Sequence, residues 1–433
     1  MGFLVVGLNH RTSPLEVREK LSLTKAQWPK ALQAMAGYGV PGVILCTCNR
    51  SEFYAMEPVD GPGSAQRWSF GEDRIKQFLV DQFDITLLDV DRFLYVYRDD
   101  ECVHHLFQVA SSLDSMIMGE EQIIGQVREA FDVATQADTV QGPLSHLFQR
   151  ALRVGRKVRR ETGIGRNALS VSQASVELAK IALGDLKGRR AMVVGAGEAG
   201  ELTAQVLSRS GVKKMTVTNR TYARAKELAR CLSAQAIPFQ DLPRVLESTD
   251  ILIGCTGSPG YVVEASTVRE AMAHRPQQPL FVLDIAVPRD IDPAVAQIDN
   301  VFLHNMDDLE SVSEASRRDK EREACWAKDV VTRETGRFLE WWRNLEVLPT
   351  VIALRNKAEQ IRDNELKKTL KRLNGALVPA EVASLEAMTR AIVNKLLHSP
   401  TVYLKDRPAS GDLEVAREIF RLTEEEIQRA SES

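Results

Sequence analysis

No stretch of this chain approaches the roughly 18 consecutive apolar residues that a spanning helix needs. Its start, MGFLVVGLNHRTS, is apolar for only a few residues and has no basic leader region. Val6 stands where a myristoylation motif requires Ser or Thr. On these absences we expect no helical membrane anchor and a cytoplasmic protein. A dominant charge sign is missing too: 56 basic residues stand against 59 acidic, a net charge of −3. That balance exerts no general attraction on phosphate polymers, so any nucleic-acid partner must be met by a local basic patch. Cysteine is scarce, with six residues at 46, 48, 102, 231, 255 and 325. They read as reduced thiols rather than a disulfide framework. No C-x-x-C and no H-x3-H accompanies the C-x-C of Cys46 and Cys48, which speaks against half a zinc site. Internal repeats and low-complexity tracts are also lacking.

What is present is a soluble globular composition, 44% apolar and 27% charged, in a chain of 433 residues, too long for one ordinary core. Three segments differ in pattern. In residues 1–165, strand-like FLVVGLNH, GVILCTC and FLYVYR alternate with helical KALQAMAGY, ECVHHLFQVASSL and EEQIIGQVREAFDVATQA, an α+β or open α/β unit. In residues 166–305, RRAMVVGAG, KKMTVTN, ILIGCTG and PLFVLDIA alternate with helices in the manner of a parallel, doubly wound sheet. Residues 306–433 are charged and largely helical. The spacing predicts one long helix from Met306 to Leu348, two further helices over Val351–Leu373 and Pro379–Leu397, and a frayed polar tail after Arg407. Apolar positions such as Leu345, Ile352, Leu366, Leu370, Leu385, Ile392 and Leu396 suggest a bundle completed by a second chain.

Two motifs carry chemistry. GAGEAG, Gly195 to Gly200, follows an apolar strand and opens a helical run, the context of a dinucleotide-binding turn. Its glycines permit the tight turn, backbone approach to a pyrophosphate and close helix–strand packing, while the helix start (Ala196, Glu198 and Ala199 among them) supplies N–H donors. At the end of the next strand, where NAD-binding folds place an acid, stand Asn219, Arg220 and Thr221, with Arg224 and Lys226 close behind. A cation there suits a 2′-phosphate, so the expected cofactor is NADPH, with Arg220 at the adenosine end. The second motif, VILCTCNRSEF, places Cys48 at a strand end beside Asn49 and Arg50. A neighbouring cation lowers a thiol pKa, which makes Cys48 a candidate nucleophile, against the alternative of two core cysteines.

The order of GLNHRTSPLEVREKL, TCNRSE, HLFQVASSLDSMIMGEEQIIGQV, RRETGIG, GAGEAG, DIAVPRDIDP and KLLHSPTVYLK resembles the glutamyl-tRNA reductase family over nearly the whole chain. The resemblance implies an N-terminal α+β catalytic domain, a Rossmann-type NADP-binding domain, and a long linking helix with a helical dimerisation domain. It implies that Cys48 attacks the ester joining glutamate to tRNA and that NADPH reduces the thioester to glutamate-1-semialdehyde. It places His105 near the thioester as acid, base or orienter, and Thr47, Asn49, Arg50, Ser115, Glu120, Glu121, Gln122 and Gln126 around the substrate. Arg50 is expected to bind the free carboxylate and Glu120 the ammonium. The implied partners are glutamyl-tRNA, a second copy of the chain, and glutamate-1-semialdehyde aminomutase. A basic stretch of Arg150, Arg153, Arg156, Lys157, Arg159 and Arg160 is the candidate tRNA surface. Two residues depart from the family pattern: Cys46 where serine is usual, and Ser112 where glycine commonly precedes LDS. An NADP-dependent dehydrogenase of the shikimate or quinate kind and a non-catalytic NADP-binding regulator are the competing readings.

Overall fold

The computed structural model describes residues 2–57, 70–165, 170–309, 321–373, 377–406 and 410–431. It divides into two compact units, the first reaching Thr335 and the second running from Gly336. The expected boundary at 165/166 adjoins residues 166–169, outside the described residues.

The first unit contains two sheets. β1 (Gly2–Asn9), β2 (Gly42–Cys46), β3 (Arg50–Glu57) and β4 (Tyr95–Arg98) form an antiparallel sheet in the order β2-β3-β1-β4. All eight residues of β1 are buried, so this central strand reads as a continuous apolar run rather than an alternation. Helices Asp99–Ala110 and Phe70–Phe83 pack on β1, and Gln122–Gln136 and Trp28–Gly37 pack on β2. The antiparallel pairing makes this segment α+β. β3 escapes a pattern reading because Arg50, Ser51 and Glu52 look like loop residues yet are buried in the strand.

The second sheet is parallel throughout: β5 (Arg190–Val194), β6 (Lys214–Thr218), β7 (Gln235–Ile237), β8 (Ile251–Gly254), β9 (Leu280–Asp284) and β10 (Val301–Asn305), ordered β10-β9-β8-β5-β6-β7. Read from β7 this is the 3-2-1-4-5-6 order of a Rossmann sheet, whose switch point lies between β5 and β8. Alternate residues feed two cores. Val193, Ile253 and Leu283 face one, Met192, Leu252 and Val282 the other. β7 and β10 were not foreseen; both are short edge strands with weak apolar runs.

The long helix differs from expectation at both ends. Met306–Asp308 is a 3-10 turn whose Met306, with Leu309, is buried in the core under the parallel sheet. The helix spans Glu321–Arg372 and continues through Pro349. A break was expected there because proline removes one intrahelical bond, but the 52-residue ladder absorbs that loss. In the second unit the chain after residue 409 is not frayed. Helices Ser410–Ile419 and Glu424–Ser431 form, and Leu413 and Ala416 bury against Val347, Val351 and Leu404. Leu366 is buried, whereas Met388, Ile392 and Leu396 leave an exposed apolar row on helix Pro379–Asp406. Among the described residues no helix is long and apolar enough to cross a membrane.

Candidate functional site

β2 and β3 form a hairpin paired through Cys46 and Ser51, and Cys48 and Asn49 lie at its tip. The turn is fixed by side chains as well as backbone. Thr47 N–H donates to the Arg50 carbonyl at 2.8 Å, and Asn49 N–H to Thr47 Oγ1 at 3.1 Å. The Asn49 carbonyl accepts from His10 N–H at 2.9 Å, and the Cys48 carbonyl from Arg18 Nη1 at 2.8 Å. Cys48 was expected at the end of the strand; it lies instead beyond it, on a turn anchored at four points.

Thr47, Cys48, Asn49, Arg50, Ser115, Glu120, Gln122 and Gln126 line one small cavity with Ile123, which sequence reasoning missed. Glu121 is not among them: its side chain is 92% exposed and lies 3.6 Å from Arg159. The cavity holds about 10 Å³, space for one water. A glutamyl group therefore requires the walls to part.

The electrostatics correct another expectation. Burial pushes the Cys48 thiol up to about 12; Glu120 adds to the rise and Arg18 opposes it. Arg50 gives no such help, because its guanidinium faces away into a buried network. Burial likewise lifts the Glu120 carboxyl to about 7, against the opposing pull of the Val171 N–H and of Arg159. Glu120 is 6% exposed, and its Oε1 has no hydrogen-bond partner. An unpaired buried oxygen is costly unless a donor arrives. Cys46 is a core sulfur: its Sγ accepts from Leu23 N–H at 3.2 Å and lies 3.5 Å from Ser51 Oγ, and burial raises its pKa.

Arg50 and Glu52 are 1% and 0% exposed. Arg50 Nη1 donates to Glu52 Oε1 at 2.5 Å and to Asp114 Oδ2 at 3.2 Å, while Nη2 reaches Asp114 Oδ2 at 3.2 Å and the Asp114 carbonyl. Glu52 also accepts from Tyr54 at 2.6 Å and Tyr95 at 2.5 Å, and lies 2.8 Å from His105 Nε2. Burial would raise the Glu52 pKa, but Arg50, His105 and the donors together hold it well below the carboxylate range. His105, whose ring packs against Tyr95 and Tyr97, does not line the Cys48 cavity and reaches it only through Glu52 and Arg50. His104 turns elsewhere, 3.4 Å from Thr335 Oγ1. Glu52 and Asp114 were not singled out in the sequence, although both stand inside quoted motifs, TCNRSE and LDS.

Ser112 adopts φ +58°, the left-handed region that glycine enters without strain. Its Oγ donates to the Glu120 carbonyl, which also accepts from Arg159 Nη2. The basic stretch is correspondingly divided. Arg159 anchors the backbone of Glu120, and Arg150 and Lys157 pair with Glu334 at 2.6 and 2.8 Å. Arg153, Arg156 and Arg160 remain exposed.

At the carboxyl ends of β5, β6 and β8 lies a cleft of about 430 Å³, lined by Gly195, Ala196, Gly197, Asn219, Arg220, Thr221, Arg224, Phe239, Cys255, Thr256, Gly257 and Ser258, with Val194 and Val262. Gly195 has φ +123°, and a Cβ on Gly200 would stand 2.5 Å from the Gly195 carbonyl oxygen, so both glycines are obligatory. A Cβ on Gly197 would meet nothing within 4 Å, leaving the helix start at Glu198 open to a phosphate. Glu198, Ala199 and Gly200 themselves do not line the cleft: the first two lie exposed in the helix's first turn, and Gly200 is buried in packing. Asn219 Nδ2 donates to the Thr221 carbonyl at 3.0 Å and shapes the loop. Neither Arg220 nor Arg224 is ion-paired among the described residues, while Lys226 turns onto the Tyr222 ring. Phe239 and the Cys255–Ser258 loop were missed; only their place after β7 and β8 could have signalled them. The groups present fit a nicotinamide dinucleotide.

Residues 6–162 match the model of the glutamyl-tRNAGlu reductase N-terminal domain, 177–312 that of shikimate/quinate 5-dehydrogenase, and 326–422 that of the glutamyl-tRNAGlu reductase dimerisation domain. A glutamyl-tRNA reductase of Thermodesulfovibrio yellowstonii is 41% identical over 98% of this chain and 100% of its own. One from Syntrophotalea carbinolica is 40% identical over 100% of this chain and 97% of its own. The solved glutamyl-tRNA reductase of Methanopyrus kandleri aligns over 99% of this chain and 98% of its own, at 30% identity and a TM-score of 0.49. With a Rossmann-type domain that fits a nicotinamide cofactor, and such identity along its whole length, the chain belongs to the glutamyl-tRNA reductase family.

Proposed function

We propose that this protein reduces glutamyl-tRNA(Glu) to glutamate-1-semialdehyde with NADPH, releasing the tRNA, through a thioester on Cys48. This is the first step of the five-carbon route to 5-aminolevulinate and porphyrins. The observation that carries it is a thiol on an anchored turn, facing a buried carboxyl with an unpaired oxygen, in the same unit as the dinucleotide cleft.

Glu120 receives the substrate ammonium at its free Oε1. That pairing cancels the negative charge that raises the Cys48 thiol, so the arriving substrate itself favours the thiolate. The thiolate forms a C–S bond at the glutamyl carbonyl, the ester C–O bond breaks, and the tRNA 3′ oxygen leaves with a proton. NADPH held in the Gly195–Gly197 and Asn219–Thr221 cleft would supply the hydride that, with one proton, turns the thioester into the aldehyde and the free thiol. Arg50 binds the remaining carboxylate once Asp114 gives way. Asp114 keeps a partner when it does, because Arg11 already pairs with it at 2.9 Å. His105 holds Glu52, and through it Arg50, in place. The unpaired Arg220 and Arg224 favour a 2′-phosphate, hence NADPH.

Exposed Arg153 and Arg156, with Arg160 beside Glu161 at 3.5 Å, are the cations offered to tRNA. The apolar row Met388, Ile392 and Leu396, in a segment matching a dimerisation domain, supports a homodimer. Handover of the reactive aldehyde to glutamate-1-semialdehyde aminomutase fits the same reading. The shikimate/quinate-type alternative accounts only for residues 177–312. Mass spectrometry after incubation with glutamyl-tRNA decides: a glutamyl adduct on Cys48 without NADPH, discharged as aldehyde when NADPH is added, is expected. A dehydrogenase would show no adduct, and a regulator neither adduct nor turnover.

A further inference from the structure

Two consecutive residues of the short helix Leu15–Lys20 carry opposite charges, and each is paired with the segment that follows the parallel sheet's last strands. Glu19 accepts from Arg289, at 2.6 Å from its N–H, 3.0 Å from Nε and 2.8 Å from Nη2. Arg18 pairs with Asp307 in the turn after β10. The same guanidinium donates from Nη1 to the Cys48 carbonyl. Arg18 is 2% exposed, and its Nε has no partner. It lines neither the Cys48 cavity nor the cleft, and it touches the turn only through its charge and its bond to the Cys48 carbonyl.

A buried guanidinium is expensive to desolvate and weak evidence of stabilisation, which leaves its placement to be explained by what it connects. One arm holds the backbone of the nucleophile; the other holds the Asn305–Leu309 segment. Met306 and Leu309 of that segment belong to the core against which Cys48 packs. A lysine would keep the charge but not the planar fork that reaches a carbonyl and a carboxylate together.

We propose that Arg18 is a positioning residue that ties the setting of the Cys48 turn to the seating of the parallel-sheet domain, so that the acylated sulfur is held in register for reduction. This rests on the thioester reading. Register matters because hydride transfer requires reacting atoms about 3 to 3.5 Å apart, and a displacement of about 1 Å costs up to about a hundredfold. Loosening the Arg18–Asp307 arm therefore slows reduction of the thioester more than its formation, and water takes the difference, releasing glutamate.

The test uses the full-length protein with glutamyl-tRNA and NADPH, measuring the ratio of aldehyde to free glutamate produced. That ratio is a property of acylated molecules, so a variant that merely unfolds in part lowers total product without moving it. Asp307→Asn, a near-isosteric change at a partly exposed position, should form the Cys48 adduct without NADPH within about twofold of the parent rate. Its product ratio should fall about tenfold. Arg18→Lys should lower the ratio as far, and the double variant no further, because both changes cut one connection. An unchanged ratio in both variants, or additive losses, overturns the proposal. Absence of any adduct in the parent protein would instead overturn the thioester reading itself.

Discussion

The two sites of the first unit are built from opposite materials. The dinucleotide cleft is backbone and space: glycines that a side chain would obstruct, a helix start, and two solvated guanidiniums with no ion-pair partner among the described residues. The surroundings of Cys48 are almost all side chain: Arg50, Glu52, Asp114 and His105 are buried or nearly so and satisfy one another, while Glu120 Oε1 and Asn49 Oδ1 keep no hydrogen-bond partner among the described residues. A cleft of the first kind keeps its stability through changes of charge and fails on changes of size. A site of the second kind tolerates neither, because each removed charge strands another.

That contrast can be broken in several places. The largest loss should come from Glu52→Gln, which keeps shape but leaves Arg50 without its closest counter-charge. Breaking one member of a buried pair costs about 3–5 kcal/mol. Urea unfolding should register that, and turnover should fall by about a hundredfold or more. Because the Glu52 pKa is depressed in the folded protein, its contribution is present above the ordinary carboxylate range and lost as pH falls below it. The stability of the parent and of the variant should therefore converge in acid. At the cleft, Arg220→Glu should raise the KM for NADPH by about tenfold or more while barely touching NADH, and melting temperature should stay put. Equal losses with both cofactors would erase the distinction between the two sites. Next, Arg153→Glu with Arg156→Glu should weaken tRNA binding by a few-fold and flatten its salt dependence, leaving cleavage of a small activated glutamyl ester intact.

The smallest effect is the sharpest in sign. Glu120→Gln removes a charge that raises the Cys48 thiol, so alkylation of Cys48 should quicken by about threefold even as turnover falls. Since Glu120 ionises near 7, the gain should appear above that pH and vanish below it, where the parent carboxyl is already neutral.

The same contrast governs what could be read in advance. GAGEAG and the following Asn219–Thr221 were legible because backbone geometry leaves a residue-type signature at fixed spacing. The Cys48 cavity was legible residue by residue through its motifs, yet its electrostatics were not. From sequence, Arg50 sits beside Cys48 and should acidify it; in the fold, strand alternation turns Arg50 toward Glu52 and Asp114, and burial dominates the thiol. β3 was hidden for the same reason, since a strand face made of Arg50, Glu52 and Tyr54 shows no apolar alternation. Glu198 and Ala199 belong to the phosphate-binding turn by motif but point out of the cleft. Arg150, Lys157 and Arg159 look like a solvated basic face until Glu334 and the Glu120 carbonyl claim them.

The distribution of the six sulfurs has a practical outcome. Cys46, Cys102 and Cys255 are shut away, Cys231 and Cys325 are open to solvent, and Cys48 lies between. Replacing only the two open ones should leave Cys48 the most accessible thiol under native conditions, so that, on the thioester reading, acylation could be followed by the label it blocks.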